Sequence, residues 1–319
     1  MLVNGQWVEN WQPVQAIDQE GGFVRQISSF RNWVTPDGQA GPTGEGGFQA
    51  EKGRYHLYVA LICPWASRTL IARELKGLTE SVSVSVVEPQ LSDFGWRFGH
   101  AFSADTDSLN HKQYMYEIYT LADPNFTGRA TVPVLWDKKR KTIVNNESSD
   151  IVRMFNSGFA DLAQSDYELY PEKLQPEIDA LNEQIYQKLN NGVYRAGFAT
   201  TQIAYEHAVA DVFDMLEQLE ERLSQRRYVF GNELTETDIR LFVTLIRFDV
   251  AYHGLFKCNL KQLRHYPHLT RYVQDILMIP GIAQTVNFEH IKQGYYSIKS
   301  LNPLGIVPVG PEINFQLPV

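Results

Sequence analysis

The chain has 319 residues, 29 Lys and Arg against 37 Asp and Glu, and a formal net charge of −8. With no Lys/Arg-rich block, that balance argues against nucleic acid and anionic lipid as partners. Hydrophobic residues at 44% and charged residues at 21% are ordinary for a folded chain, and two domains are the better expectation at this length.

No apolar run reaches the roughly 18–20 residues that span a bilayer, and no signal-peptide core stands near the start, so a cytoplasmic protein with no membrane partner is expected. Cys63 and Cys258 are the only cysteines. A disulfide framework is absent, and any thiol chemistry must rest on one cysteine or on an external thiol.

Residues 1–50 read as an irregular arm, with Trp7, Trp11, Phe30 and Trp33 among polar residues and a glycine-rich stretch from Pro36 to Phe48. That stretch lacks the Gly-Lys-Ser/Thr ending of a phosphate loop, and its glycines read as turns that lay the arm across a domain surface. A strand pattern follows at Tyr55–Leu61, then Cys63-Pro64 and a helical pattern through Leu70, Ile71 and Leu75 to Gly77. Val82, Val84 and Val86 alternate with serines as a second strand, so the unit is βαβ with a parallel pair.

An insert covers about 90–130, with a helix expected around 113–121. Thr131–Trp136 and Thr142–Val144 read as two short strands, and a helix opens near Ser148 with Ile151, Val152 and Phe155. From Pro171 onward the period is helical. Leu174, Ile178, Leu181, Ile185 and Leu189 make one stripe, and Val209, Val212, Leu216, Leu219 and Leu223 another. Thr235 and Asp238 form a capping box, with Leu234 and Ile239 as its hydrophobic staple, opening a helix through Leu241, Phe242, Leu245, Ile246 and Phe248. A further helix is expected at about 268–278, and an arm without regular structure after Ser300.

Cys63 lies where a strand ends and a helix begins, with Pro64 suited to the first helical position. The exposed amides and the positive end of the helix dipole there stabilise a thiolate, lowering the cysteine pKa. In Cys63-Pro64-Trp65-Ala66, alanine takes the place of the second cysteine of a Cys-x-x-Cys pair. A mixed disulfide at Cys63 must therefore be resolved by an outside thiol. A cysteine taken at random is more often a small buried hydrophobe, and Cys258, without such a context, reads as structural.

Pro133 stands just before a strand, where a proline removes a ladder donor. A cis Val132-Pro133 bond would turn the Val132 N–H and C=O toward an extended peptide ligand, although such bonds are only about 5% of X-Pro bonds. Ser148 reads as the N-cap of its helix, worth about 1 kcal/mol. The same terminus could hold a ligand carboxylate, with Glu147 meeting the ligand's ammonium group.

These residues in this order resemble the glutathione-binding thioredoxin-like domain of the glutathione transferases, and the Thr235-x-x-Asp238 box resembles that superfamily's folding motif. Phe30-Arg31-Asn32-Trp33, Cys63-Pro64-Trp65-Ala66, Gly95-Trp96, Asn190-Asn191-Gly192-Val193-Tyr194 and Arg247-Phe248-Asp249 are similar to the glutathionyl-hydroquinone reductases, the Xi class, over nearly the whole chain. The resemblance implies an α/β thioredoxin-like N-terminal domain plus an all-α C-terminal domain, the glutathione transferase fold. Its divisions are an arm at 1–50, the glutathione-binding domain at 51–165, the helical domain at 166–300 and a second arm at 301–319.

It further implies that the Cys63 thiolate attacks the sulfur of a glutathionyl-hydroquinone and that a second glutathione regenerates it. Trp96 would pack over glutathione, Arg129 would contact it, Val132 would pair with its backbone, and Glu147 with Ser148 would hold its γ-glutamyl end. Tyr194 and Tyr295 would line the aromatic acceptor pocket and help supply a proton to the departing ring, with Tyr252 and Tyr296 as weaker candidates. Glutathione is then a co-substrate, small aromatic glutathione conjugates are the other ligands, and superfamily habit implies a homodimer. Two positions depart from the common family form: Ser67 stands in place of histidine, and Tyr296 where phenylalanine or another aromatic is usual.

The eight histidines give no metal pattern, Pro267 separating His265 from His268, and no nucleophile elbow is visible. Two other readings stay open. One is an omega-like thiol transferase or dehydroascorbate reductase using the same cysteine. The other is a non-catalytic scaffold on this fold.

Overall fold

The computed structural model describes residues 1–8, 16–313 and 315–316; Trp11 of the expected arm lies outside the described residues. The chain divides into two compact units. The first comprises Met1–Gln12, Ile27–Tyr167 and Thr285–Gly294, and the second Pro13–Gln26, Glu168–Gln284 and Tyr295–Val319.

The amino-terminal segment is more regular than the sequence suggests. Strands β1 (Leu2–Val3) and β2 (Gln6–Trp7) pair antiparallel, as do β3 (Ala16–Ile17) and β4 (Phe23–Val24). Two-residue strands are too short to show an alternating pattern.

The first unit is built on β5 (Tyr55–Val59), β6 (Val82–Val86), β7 (Val134–Asp137) and β8 (Thr142–Asn145), in the order β6-β5-β7-β8. β5 and β6 are parallel, joined by α1 (Pro64–Leu75), and β7 pairs antiparallel with both β5 and β8. Every residue of β5 and β7 is buried. The insert carries α2 (Met115–Ala122), and α3 (Ser148–Arg153) follows β8. The exposed edge of β8 is closed by the arm. Asn32 N–H donates to the Val144 carbonyl and Asn146 N–H to that of Phe30, at 3.0 and 3.1 Å, while Arg31 forks onto Asp150. An edge strand paired in this way cannot template aggregation.

The serines alternating along β6 have a partner the sequence did not announce. In the parallel register His56 lies opposite Ser83, and its ring bonds the Ser83 hydroxyl at 2.8 Å and the Ser85 hydroxyl at 3.1 Å. Burial pushes the His56 imidazole down to about 4, from an ordinary 6.5. The native state therefore stays neutral while the unfolded chain takes up a proton, so stability is full above pH 6.5 and is lost as pH falls toward about 4. The expected loss from this group is about 3 kcal/mol. Denaturant unfolding of the wild type and His56→Gln across that window would show it as a divergence of the two pH curves, whereas parallel curves would refute it.

The second unit contains α4 (Gln175–Ile185), α5 (Gly192–Gly197), α6 (Gln202–Leu223), α7 (Glu236–Arg247) and α8 (Pro267–Leu277), and no named strand follows β8 among the described residues. The α6 stripe is buried as expected from Val209 to Leu223. The α4 stripe is not uniform. Leu181 is half-buried and Asn182 takes the interior place, donating to Glu236 Oε1 at 2.8 Å. α9 (Phe288–Tyr296) was not expected; it runs from the first unit into residues of the second. After Ser300 the described residues have no helix or strand.

Candidate active site

Within the first unit, β5 ends at Val59 and a tight turn returns Cys63 N–H to the Ala60 carbonyl at 3.0 Å. Cys63 becomes the N-cap of α1 with extended backbone (φ −74°, ψ 117°), and Pro64 fills the first helical position. Its side chain is half-buried, with Sγ 3.6 Å from the Val132 carbonyl oxygen, and the Val132-Pro133 bond is cis. Cys63 thus occupies a helix amino terminus, where the dipole favours negative charge, although its side chain makes no cap hydrogen bond there. Ser67, in the first turn of α1, is buried, and its N–H donates to the Cys63 carbonyl at 3.0 Å. The guanidinium of buried Arg68 lies over the Trp65 ring at 4.4 Å.

The N-cap of α3 is Glu147, a correction to the expectation that Ser148 caps it. The Glu147 carboxylate accepts from Ser149 N–H at 3.2 Å, Ser149 Oγ at 3.0 Å and Ser28 Oγ at 2.8 Å, while Ser148 is the first helical residue and is buried. Burial works against its charge, but the Ser149 amide, the two hydroxyls and the Arg68 charge prevail and hold the carboxyl below its ordinary range. A carboxylate is therefore maintained beside the helix terminus.

Tyr119 of α2 links these two segments and was missed by the sequence reading. Its hydroxyl donates to the Thr131 carbonyl at 3.0 Å and accepts from Thr131 N–H at 3.2 Å and from Asn146 Nδ2 at 3.0 Å. One buried phenol therefore fixes the residue before Val132 and the residue before Glu147. An apolar-looking helix gives no signal of this in sequence.

Trp96 and Arg129 sit on two other segments of the unit, both tied to the first hairpin. Trp96 is half-buried, its carbonyl accepting from Met115 N–H at 2.9 Å, and the preceding Gly95 adopts φ +78° to close a turn with Ser92. The Trp7 ring packs against Phe94 and Tyr116, with centroids 6.3 and 5.0 Å away. Half-buried Arg129 follows Gly128, which exchanges both backbone hydrogen bonds with Leu2.

Within the second unit three of the predicted tyrosines share one chain of hydroxyls. Tyr194 of α5 is 2.6 Å from Tyr295 of α9, which is 2.8 Å from Tyr252, in the turn after α7. Tyr252 and Tyr295 are buried and Tyr194 is half-buried, at the accessible end. Burial pushes Tyr252 and Tyr295 well above the ordinary phenol range, so both remain protonated hydrogen-bonding groups. The fourth, Tyr296, is half-buried with its hydroxyl against Gly254, where an added Cβ would stand only 2.8 Å away.

A thioredoxin-like sheet with a cysteine at the first helix terminus, followed by a helical unit, defines the class of fold. Residues 62–157 match the family model described as "Glutathione S-transferase, N-terminal domain", and residues 202–275 that described as "Glutathione S-transferase, C-terminal domain". The chain is 52% identical to glutathionyl-hydroquinone reductase YqjG of Escherichia coli over 97% of its length and 94% of that protein. It is 48% identical to glutathionyl-hydroquinone reductase PcpF of Sphingobium chlorophenolicum, over 98% and 96%.

The glutathione-bound structure of YqjG superimposes with a TM-score of 0.91, at 50% identity and covering 98% of this chain and 96% of that one. The glutathione transferase Xi of Phanerochaete chrysosporium does so with 0.89, at 47% identity, covering 95% and 96%. The chain belongs to the Xi-class glutathione transferases, the family of the glutathionyl-hydroquinone reductases.

Proposed function

We infer that the protein reduces glutathionyl-hydroquinones to hydroquinones with glutathione as the reductant. The observation that carries this reading is the near full-length kinship with two glutathionyl-hydroquinone reductases. In the first step the Cys63 thiolate attacks the sulfur of the conjugate. A Cys63–glutathione disulfide forms, the carbon–sulfur bond breaks, and the ring carbon takes the electron pair and a proton. In the second step a glutathione thiolate attacks that disulfide, releasing oxidised glutathione and restoring the Cys63 thiolate. The sum is one conjugate and one glutathione converted to one hydroquinone and one oxidised glutathione.

The remaining assignments belong to the same proposal. Val132, Glu147, Ser148, Trp96 and Arg129 hold glutathione. The Glu147 carboxylate is charged for an ammonium group, and the first turn of α3 offers amides for a carboxylate. Tyr194 and Tyr295 serve the aromatic acceptor as hydrogen-bond donors, with Tyr252 bonding Tyr295 from behind. Superfamily habit supports a homodimer.

The test is turnover of a glutathionyl-hydroquinone with excess glutathione, following both products. Equimolar hydroquinone and oxidised glutathione are expected. A protein that ignores the conjugate yet removes glutathione from protein mixed disulfides or reduces dehydroascorbate would instead be an omega-like thiol transferase.

A further inference from the structure

The hairpin formed by β3 and β4 is docked in the second unit at the chain between α5 and α6. Thr200 donates to the Gly21 carbonyl through both its N–H and its hydroxyl, each at 3.1 Å, and the Thr201 hydroxyl donates to that of Glu20 at 2.8 Å. The loop of the hairpin is held by Asp18, whose Oδ1 accepts from the amides of Glu20 and Gly22 at 2.9 and 2.8 Å. A segment pinned at its tip and braced internally can aim the residue that follows it, which is Arg25.

The Arg25 guanidinium lies over the Tyr194 ring at 5.0 Å and over that of Phe23 at 5.2 Å, and its Nε donates to Asn191 Oδ1 at 3.1 Å. Asn191 is the N-cap of α5, the helix that carries Tyr194, and is buried. Asparagine is among the best capping residues, yet its side chain makes no cap bond here. Its oxygen goes to Arg25 instead, so the arginine grips both the start of α5 and the face of its tyrosine. Phe198, Phe256 and Tyr252 pack around the same ring, with centroids 6.4, 5.2 and 6.0 Å away.

We propose that Arg25 is a positioning residue for the hydroquinone-releasing step, holding the Tyr194 hydroxyl in its donor place and placing a positive charge on the ring that carries it. The proposal rests on the function inferred above. Among the described residues, the charged and titratable groups acting on Tyr252 and Tyr295 include the neighbouring phenols and Arg247 at the end of α7, and Arg25 beside β4 faces Tyr194. A cation over an aromatic face favours electron density in the ring, so Arg25 eases loss of the phenolic proton from Tyr194. Lysine could restore the charge but not the planar guanidinium with its Nε bond to Asn191.

The experiment compares wild type, Arg25→Lys and Arg25→Met in two readouts. In single-turnover release of hydroquinone under saturating conjugate, Arg25→Met is expected to slow the step about 10-fold and Arg25→Lys less, with reduction of the Cys63–glutathione disulfide unchanged in both. In spectroscopic phenol titration, with Tyr194→Phe in each background to isolate one tyrosine, Tyr194 is expected to titrate at higher pH in Arg25→Met. Equal release rates, or equal slowing of both chemical steps, would overturn the proposal, as would an unmoved titration. A wild type without turnover but with the expected titration shift would place the failure in the inferred function rather than in the Arg25–Tyr194 coupling.

Discussion

Cys63→Ala is expected to lower glutathionyl-hydroquinone turnover by about 10³-fold or more, with the fold retained by circular dichroism. The scheme needs a sulfur that can form and then give up a disulfide, so Cys63→Ser, with an oxygen in the same place, should fail equally. No second cysteine can substitute. Cys258 is fully buried, and burial pushes its thiol up to about 12, leaving roughly one molecule in 10⁵ as thiolate near neutral pH. Mass spectrometry of the wild type trapped with conjugate alone should show one glutathione on Cys63, and the alanine variant should show none. Retained turnover in Cys63→Ala would remove the thiol-exchange mechanism altogether.

The parts of the fold that were legible are those in which one physical period runs long enough to be counted. The serine and valine alternation of β6, the α6 stripe and the Thr235–Asp238 box each announce themselves within a few residues. Cys63 was legible for a similar reason, since strand, Cys-Pro and helix are contiguous. α9 was hidden because Gly294 near its end counts against a helix. The glycine is there for packing: a Cβ would stand 2.4 Å from the Ile62 side chain and 2.6 Å from the Pro89 carbonyl.

The candidate site divides in the same way. Residues proposed to carry chemistry are recognised by type, whereas those proposed to place them are recognised only through long-range contacts. Tyr119 reaches Thr131 and Asn146 from a different helix, and Arg25 reaches Asn191 and Tyr194 across more than 160 residues of chain. The Glu147 cap shows a further limit. Glutamate is not among the preferred capping residues, but Ser28 and Ser149 supply donors to its longer side chain, and the position N-terminal to Ser148 takes the role.

Asp238→Ala is expected to cost about 3–5 kcal/mol of unfolding free energy, the largest stability loss predicted for a single side chain here. Asp238 is fully buried, at the third position of α7. One oxygen accepts from Val229 N–H at 2.9 Å and from the Tyr272 hydroxyl at 3.0 Å, and the other from Thr235 N–H at 2.8 Å and Thr235 Oγ1 at 3.0 Å. Burial pushes the carboxyl upward against the pull of these four donors, so the residue is tolerated only because all of them converge on it. Truncation would strand three donors, Val229 N–H in the loop before α7 and the Thr235 N–H and hydroxyl at its cap, and would leave the Tyr272 hydroxyl of α8 only the Asp238 carbonyl, at 3.2 Å. Because the desolvation of each is already fixed by the surrounding core, the loss exceeds that of an ordinary cap. Asp238→Asn keeps the shape but turns one acceptor into a donor facing the Thr235 amide, so its cost should be smaller yet clearly measurable. Chemical denaturation of the three proteins would decide the matter, and a loss below about 1 kcal/mol for the alanine variant would mean that water enters to satisfy those donors and that the box does not hold α7 in place.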